Sequence, residues 1–141
     1  MCWKISIFKK ILGGRNVNMS KKGIFEEMRK ILVKLEETTP DVFASAIIRK
    51  DGLIVASAVP EEVNKRVFAA MAASALGASS RALKELKQGN LKRLLVEGEG
   101  GQMVLMEAGQ LVLTTLIRKD ANLGLVFMNL EKVVDELKKY A

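Results

Sequence analysis

Apolar residues recur every three or four positions between residues 24 and 35, with Glu and Lys at most positions between them. This spacing predicts an amphipathic helix that begins after Ser20, which can cap it, and ends near Thr38 and Pro40. The next stretch, VFASAIIRKDGLIVASAV, holds two strand-forming runs around Asp51-Gly52. An Asp-Gly pair predicts a two-residue hairpin turn in which both residues have positive φ. Both strands are apolar on both sides, so we expect the sheet to be covered on both faces.

A second helical pattern opens at Pro60, with Glu61 and Glu62 near its positive end, and continues to about Gln88. Three short strands follow, LKRLLVE, QMVLMEA and LVLTTLI, and KDANLG leads into a last amphipathic helix. The order helix, strand, strand, helix, three strands, helix predicts an α/β (α+β) fold, an antiparallel sheet between helices. We assign turn, cap and structural roles to Asp51, Gly52, Gly89, Asp120, Asn122 and Gly124.

The middle of the second helix, AAMAASALGASS, consists mainly of Ala, Ser and Gly and carries no charge. At 100° per residue its bulkier side is predicted to pack on the sheet. That side comprises Phe68, Met71, Ala72, Ala75, Leu76, Ser79, Leu83 and Leu86. The opposite side is also uncharged, and it comprises Val63, Val67, Ala70, Ala73, Ser74, Gly77 and Ala78, with Arg66, Arg81, Lys84 and Glu85 towards its ends.

Small side chains on this opposite side would let another backbone approach closely. An apolar centre with a charged rim is typical of a protein interface. We therefore predict a homodimer in which the helix contacts its own copy about a twofold axis. The alternative is that other helices of the same chain cover this side.

Composition places the chain among soluble globular proteins, because 49% of its residues are hydrophobic and 28% are charged. Four of its seven net positive charges fall within residues 1–18, so the rest is nearly balanced and no nucleic-acid partner is predicted. The longest charge-free run is too short for a membrane span. The single cysteine, Cys2, excludes an internal disulfide and favours a reducing, cytoplasmic location.

Residues 1–18, MCWKISIFKKILGGRNVN, allow three interpretations. In the first, they are an amphipathic basic anchor for a membrane surface, and in the second they are a crude secretory signal. In the third, they are an artefact of gene-start assignment, and translation begins at Met19. We treat them as an N-terminal basic extension and residues 19–141 as one domain. A membrane partner is expected only if the extension is real.

Little in the sequence predicts chemistry. The chain has no histidine, the commonest general base and metal ligand, and no P-loop, so we expect no catalytic, cofactor or metal site. Ser45, Ser57, Thr114 and Thr115 lack a base that would activate them. The glycines of GEGGQM are expected to form a hairpin turn.

The order of elements, together with RKDGLIVAS, RVFAAMAASALGASSRAL and KDANLGLVFMNLEKVVDEL, resembles the Roadblock/dynein light-chain family over residues 20–140. The resemblance implies a five-stranded antiparallel sheet, with the first and last helices on one face and the middle helix on the other. It also implies homo- or heterodimers formed through the middle helix and the third strand, here residues 91–97. This adds Leu91, Arg93 and Leu95 to the predicted interface. The resemblance does not cover residues 1–18.

Prokaryotic members of this family regulate small Ras-like GTPases, either by accelerating hydrolysis or as scaffolds, and eukaryotic relatives serve as dynein light chains and lysosomal platforms. The resemblance therefore implies a homodimeric regulator of a Ras-like GTPase that needs no catalytic residue of its own. Arg66 and Arg81 are candidates for an inserted arginine. The alternatives are a dimerisation adaptor without effect on hydrolysis and a small-molecule-binding module.

Overall fold

The computed structural model describes residues 21–140, which form three helices and five strands. They are α1 (Lys21–Thr38), β1 (Val42–Arg49), β2 (Ile54–Ala58), α2 (Lys65–Glu85), β3 (Arg93–Glu97), β4 (Gly101–Ala108), β5 (Leu111–Arg118) and α3 (Leu123–Lys138). The predicted class and element order are confirmed. Ser20 and residues 1–18 lie outside the described residues, so the cap and the three interpretations of the extension stay predictions.

All five strands belong to one antiparallel sheet in the order β2-β1-β5-β4-β3. The chain therefore places β5 in the centre and leaves β2 and β3 at the two edges. Sequential antiparallel pairing of β3, β4 and β5 follows from the short turns between them. The closure of β5 against β1 joins this meander to the first hairpin.

The two faces of the sheet are covered differently. The helices α1 and α3 pack against each other and lie on one face, where α1 contacts β1 and β2 and α3 contacts β4 and β5. The core of this face includes Ile24, Met28, Leu32, Val104, Leu113, Ile117, Leu130 and Leu137. The helix α2 lies on the other face, mainly over β1 and β2, and its core includes Ala44, Ala46, Phe68, Ala72, Leu76, Leu91, Leu105 and Val112. We call these the α1/α3 face and the α2 face.

The first hairpin is longer than predicted. The Gly52 N–H donates to Arg49 O and the Arg49 N–H donates to Leu53 O, both at 2.9 Å. Only Gly52 has positive φ there, at 93°, while Asp51 does not. This is a three-residue loop of a turn followed by one left-handed residue, so the prediction of a two-residue turn is wrong. The Asp51 carboxylate instead accepts from the Leu53 N–H and pairs with Arg49 at 2.7 Å.

The helix α2 begins five residues later than predicted. Asn64 caps it, with its side-chain oxygen accepting from the Arg66 and Val67 N–H groups at 3.1 and 3.2 Å. The amide oxygen satisfies N–H groups that the first helical turn leaves without partners. Pro60 and the two glutamates after it therefore belong to the preceding turns, and the prediction that Pro60 opens the helix is wrong.

The end of α2 also differs from the prediction. Lys87, rather than Gly89, takes the left-handed position directly after the helix, with φ of 59°. The Lys87 N–H donates to Lys84 O at 3.1 Å and the Gln88 N–H to Leu83 O at 2.7 Å. These two bonds satisfy carbonyls of the last turn, which defines a Schellman motif. Gly89 has φ of 87° in the following loop.

The last helix begins in the turn KDANLG. Asp120 has φ of 65°, and the Asn122 side chain accepts from the Leu125 N–H at 3.2 Å. Gly124 lies inside the first turn of α3, next to the Asn122 amide oxygen. None of the helices in residues 21–140 is long and apolar enough to cross a membrane.

Candidate functional site: an exposed apolar surface on α2 and β3

The exposed side of α2 carries apolar residues that the core of the same chain does not bury. Between Val67 and Ala78 the helix makes about three turns without a charged residue, and one side of these turns is exposed. Val67 and Met71 are 53% and 58% exposed, although both are apolar. We call the exposed set Val67, Ala70, Met71, Ser74, Gly77 and Ala78 the bare α2 face.

Polar groups do not change the character of this surface. The Ser74 hydroxyl donates to Ala70 O at 2.9 Å, so its proton is held by the helix itself. A Cβ added at Gly77 would meet nothing within 4 Å. The bare α2 face is therefore a smooth apolar strip that another surface could approach closely.

Several predicted contact residues do lie on this exposed side. Val67, Ala70, Ser74, Gly77 and Ala78 are exposed, as are Arg66 and Arg81 of the predicted rim. These residues stay predicted contacts, because the structure describes one copy of the chain.

Other residues of α2 lie elsewhere than predicted. Ala73 packs beside the β1–β2 loop, where a Cβ at Gly52 would come within 3.4 Å of the Ala73 Cβ, and Val63 also packs on the core. Both residues are half-buried, so they are less exposed than predicted, and they stay predicted contacts. Met71 and Leu86, predicted to pack on the sheet, are exposed, Leu86 by 69%. The buried residues of α2 are Phe68, Ala69, Ala72 and Leu76, and the side of the helix that they form does not include Met71.

The predicted interface residues in and before β3 lie in three different environments. Leu91 precedes β3 and is buried in the α2-face core, so it is not an exposed interface residue. Arg93 turns towards α3, where its guanidinium lies 4.9 Å from the centre of the Phe127 ring and 3.5 Å from the Glu131 carboxylate. Leu95 is 39% exposed and Val96, which was not predicted as a contact, is 43% exposed.

A groove of about 420 Å³ extends from Gly77 of the bare α2 face to the loop before β3. Its lining includes Gly77 and Lys84 from α2 and Leu91 from the loop before β3. Lys50 and Glu107 lie 3.8 Å apart in the same lining and form an ion pair at its edge.

Sequence reasoning missed the strip of sheet that α2 leaves partly uncovered. Leu94, Met103 and Leu116 pack against the α2-face core but remain half-buried. They stand on the same face as Val96, since paired residues of neighbouring strands share a face and Val96 pairs with Met103. The alternation of apolar residues in β3 and β4 was a visible signal, but it could not show how far α2 extends across the sheet.

The opposite side of the molecule offers a groove of about 460 Å³ between α1 and α3. It is lined by Ile31, Leu35 and Val133 and by charged residues of both helices. One of the charged pairs, Lys30 and Glu27, lies 3.4 Å apart and is largely exposed. It is an exposed groove between two helices with charged residues along it.

A partly buried polar contact joins α1 to β1. The Ser45 hydroxyl donates to the Glu36 carboxylate, and burial raises the pKa of that carboxyl above its ordinary 4.5, against the opposing effects of Ser45 and Arg29. The Asn129 amide of α3 donates to Thr39 Oγ1 at 2.8 Å just after α1. These contacts fix α1 and α3 on the sheet. Within residues 21–140, no group of three or more acidic or cysteine side chains could hold a metal ion.

Comparison with known proteins places this geometry in a family. The Roadblock/LC7 domain model matches residues 28–117. The uncharacterized protein MJ0310 of Methanocaldococcus jannaschii is 33% identical over 109 residues, which are 77% of this chain and 95% of that protein. A second uncharacterized protein of that organism, MJ1340, is 32% identical over the same shares.

Solved structures with this fold include MglB of Myxococcus xanthus, with a TM-score of 0.76 and 20% identity over 82% of this chain and 87% of that one. A Roadblock/LC7 domain from Streptomyces avermitilis has a TM-score of 0.75 and 17% identity, covering 79% and 95%. MglB in a tetrameric arrangement has a TM-score of 0.74 and 20% identity, covering 83% and 89%. The family-model match and the identity to the curated relatives show that this chain belongs to the Roadblock/LC7 domain family.

Proposed function

We propose that this protein is a homodimeric regulator or scaffold that binds a Ras-like small GTPase. The observation that carries the proposal is the bare α2 face, an exposed and charge-free helix surface in a member of a family of regulators and adaptors. The tetrameric arrangement of MglB, a protein of the same fold, supports the self-association. We propose residues 19–141 as the domain and residues 1–18 as a basic extension, in a cytoplasmic protein.

The proposed dimer follows from the cost of leaving apolar surface in water. Val67 and Met71 expose large side chains next to four small residues of the bare α2 face. A second copy of this face about a twofold axis would bury both sets at once, and the small residues would allow the two helices to approach closely. Arg66 and Arg81 are exposed and would remain at the rim of such an interface.

The proposed effect on a GTPase requires no catalytic residue from this chain. A rigid dimer surface can order the switch loops of a bound GTPase, and completing a preorganised site lowers the barrier to hydrolysis. Arg66 and Arg81, both exposed, are the candidates for a direct contribution of a guanidinium to the γ-phosphate.

The Gly77→Leu variant tests the dimer. A leucine at this open position should hold the two helices apart, while Gly77→Ala adds one methyl group and serves as the matched control. We expect sedimentation velocity to show a dimer for the original protein and for Gly77→Ala, and a shift towards monomer for Gly77→Leu. A Gly77→Leu protein that is as dimeric as the control would contradict the proposed contact.

The GTPase partner is tested by reconstitution. The protein is mixed with purified Ras-like GTPases from the same organism, loaded with GTP, and both complex formation and phosphate release are followed. Faster phosphate release supports a regulator that stimulates hydrolysis, and replacing Arg66 and Arg81 by Ala separately then asks whether either guanidinium contributes. A stable complex with unchanged hydrolysis supports the adaptor, and no complex with any of these GTPases contradicts the proposal.

A further inference from the structure

Lysines gather at one end of the sheet, where β1 and β4 end and β2, β3 and β5 begin. The register brings these strand termini together, because Leu111 at the start of β5 pairs with both Arg49 at the end of β1 and Ala108 at the end of β4. The loops and helix termini at this end carry a set of lysines that we call the lysine end, namely Lys50, Lys84, Lys87, Lys92, Lys138 and Lys139.

Two grooves show that α2 and α3 both reach this end of the sheet. Lys84 of α2 shares the lining of the groove of about 420 Å³ with Lys50 of the β1–β2 loop. Lys138 of α3 shares the lining of a second groove, of about 430 Å³, with Lys92 and with Gly109 of the β4–β5 turn. Segments that are distant in the sequence therefore place their lysines at one end of the molecule.

Most of these lysines have no carboxylate partner. Lys50 pairs with Glu107, but the others are exposed and form no ion pair with a described residue. A lysine in the last turn of a helix complements the helix dipole, which accounts for Lys84 and Lys138. This explanation does not extend to Lys87 and Lys92, which lie in the loop between α2 and β3.

An exposed leucine lies among these lysines. Leu86 follows the last residue of α2, between Lys84 and Lys87, and is 69% exposed, the highest value for a large apolar side chain in residues 21–140. It is not part of the bare α2 face, so the proposed dimer does not account for it. Leu53 of the β1–β2 loop, at the same end of the sheet, is 44% exposed. Apolar side chains among lysines are typical of a surface that binds a membrane interface.

The opposite end of the sheet has a different charge. Its loops and helix termini carry acids that include Glu61, Glu62, Glu97, Glu99 and Asp120. The basic residues at the same end are Lys65, Arg66, Arg118 and Lys119, so this end has no excess of positive charge. An anionic surface would therefore orient the molecule with the lysine end towards itself.

The described chain also begins at the lysine end. The helix α1 has 18 residues and is therefore about 27 Å long, similar to the strand β1 of 8 residues. Its last residue precedes the start of β1 at the opposite end of the sheet, so its first residue, Lys21, lies at the lysine end. Residues 1–18, which precede it, contain Trp3 and carry only basic charges.

We propose that the lysine end binds the surface of an anionic membrane, with Leu86 inserted among the headgroups and Lys84, Lys87 and Lys92 paired with lipid phosphates. Residues 1–18 add Trp3 and further lysines to the same contact. A nucleic acid would also attract the lysines, but Leu86 gains nothing from a phosphate backbone, whereas it gains from the apolar boundary of a bilayer. This surface is independent of the proposed homodimer, which sedimentation velocity tests separately.

Vesicle flotation of the full chain tests the membrane contact. The probes are vesicles of phosphatidylglycerol and phosphatidylcholine in equal parts, and vesicles of phosphatidylcholine alone. We expect binding to the first kind only, and weaker binding as the salt concentration rises, because salt screens exposed charges. Binding to neither kind of vesicle, or equal binding to both, would overturn the proposal.

A matched pair of double variants locates the contact. One lysine near an anionic surface strengthens binding about fivefold, so Lys87→Gln combined with Lys92→Gln should weaken binding to the anionic vesicles roughly twentyfold. Lys65→Gln combined with Lys119→Gln removes the same charge from exposed, unpaired lysines at the opposite end and should bind nearly as tightly as the original protein. Equal losses in both double variants, or no loss in the first, would overturn the assignment of the contact to the lysine end.

An environment-sensitive dye on a cysteine reports on insertion. In a Cys2→Ser background, Leu86→Cys carries the dye at the lysine end, and Leu125→Cys, at a position that is 50% exposed in the first turn of α3, carries it at the opposite end. We expect anionic vesicles to shift the dye emission to the blue in Leu86→Cys alone. The emission of Trp3, the one tryptophan of the chain, should shift as well.

Three outcomes of these measurements would contradict the proposal. A dye that responds equally at both positions, or at neither, would overturn the insertion of Leu86. An unshifted Trp3 emission would remove residues 1–18 from the contact. A DNA duplex that binds the protein more tightly than the anionic vesicles do would make the lysine end a nucleic-acid surface and would overturn the membrane as its partner.

Discussion

The two faces of the sheet carry similar apolar side chains but end in different environments. On the α1/α3 face, two helices bury Leu32, Leu113 and Leu130 completely. On the α2 face a single helix covers part of the sheet, and Met103 and Leu116 remain half-buried. The two faces therefore differ in the number of helices that cover them and not in the side chains of their strands. Both faces contain a buried core, but exposed apolar side chains remain on the α2 face, and the proposed interface lies there.

Shortening a buried side chain on the α1/α3 face should have the largest effect on stability. Leu32→Ala leaves a cavity beneath α1 at a fully buried position, so we expect a loss of about 2–5 kcal/mol in the free energy of unfolding. Urea denaturation measures this loss. Leu53→Ala, at an exposed position in the β1–β2 loop, is the control and should change stability by at most about 0.5 kcal/mol. A similar small change for both would mean that the α1/α3 face is not the stabilising core.

Two exposed methionines allow a direct comparison of the faces. Met71 on α2 is 58% exposed and Met128 on α3 is 51% exposed. A charge at the bare α2 face would have to be buried without a partner in the proposed dimer, so Met71→Glu should weaken association at least tenfold, or about 1.4 kcal/mol. Met128→Glu should leave association unchanged. Analytical ultracentrifugation over a range of concentrations measures both.

The opposite pattern, in which Met128→Glu disrupts the dimer and Met71→Glu does not, would place the interface on α3. Equal loss in both variants would point to a general effect of charge. Either result would remove the distinction between a self-stabilising face and a binding face.

The sequence was sufficient for the elements and for the sheet, because periodicities of 3.6 and 2 were clear in the helices and strands. It was insufficient for the orientation of α2. When Ala, Ser and Gly occupy both sides of a helix, hydrophobicity cannot show which side meets the sheet. Met71 is therefore exposed although it was predicted to pack on the sheet, and Ala73 lies half-buried beside the β1–β2 loop although it was predicted to face outward.

The candidate surface was also predictable only in part because some of its contacts join residues that are distant in the sequence. Arg93 was expected at an interface from its position in the third strand, but its partners Phe127 and Glu131 lie about thirty-five residues later in the chain. Such a contact depends on the packing of α3 beside β3, which no local pattern encodes. Likewise, Leu91 is apolar and near the edge, and only the position of α2 shows that it is buried.

A smaller effect is expected where α2 ends and the chain leads into β3. Lys87 occupies the left-handed region with φ of 59°, a conformation that is costly for a residue with a Cβ. Lys87→Gly should therefore stabilise the protein by about 0.5–1 kcal/mol in urea denaturation. Gly89→Ala is the reverse case, since φ there is 87° although nothing lies within 4 Å of the added Cβ, and it should be destabilising. Two changes of the same sign would contradict this assignment of backbone strain.

The smallest effect concerns the contact between Ser45 and Glu36 on the α1/α3 face. Burial raises the pKa of Glu36 above its ordinary value of 4.5, so the folded protein binds this proton more tightly than the unfolded chain. The contribution of Glu36 to stability is thus greatest below pH 4.5 and declines as the pH rises through the raised pKa. Glu36→Gln cannot ionise and keeps a polar partner for Ser45, so it should lack this decline. We expect the stability of the original protein relative to Glu36→Gln to fall as the pH rises from 4.5 through the raised pKa.

The measurement is the difference in urea midpoint between the two proteins across that pH range. Glu37→Gln, a change at the neighbouring exposed residue, controls for the loss of one negative charge. A difference that rises with pH would mean that Ser45 and Arg29 outweigh burial and that the ionised carboxylate is the favoured form. Because this contact lies between α1 and β1, on the face away from α2, the pH dependence should be the same in Met71→Glu as in the original protein. A decline that disappears in Met71→Glu would instead tie the Glu36 proton to association, and the two faces of the sheet would then be coupled rather than independent.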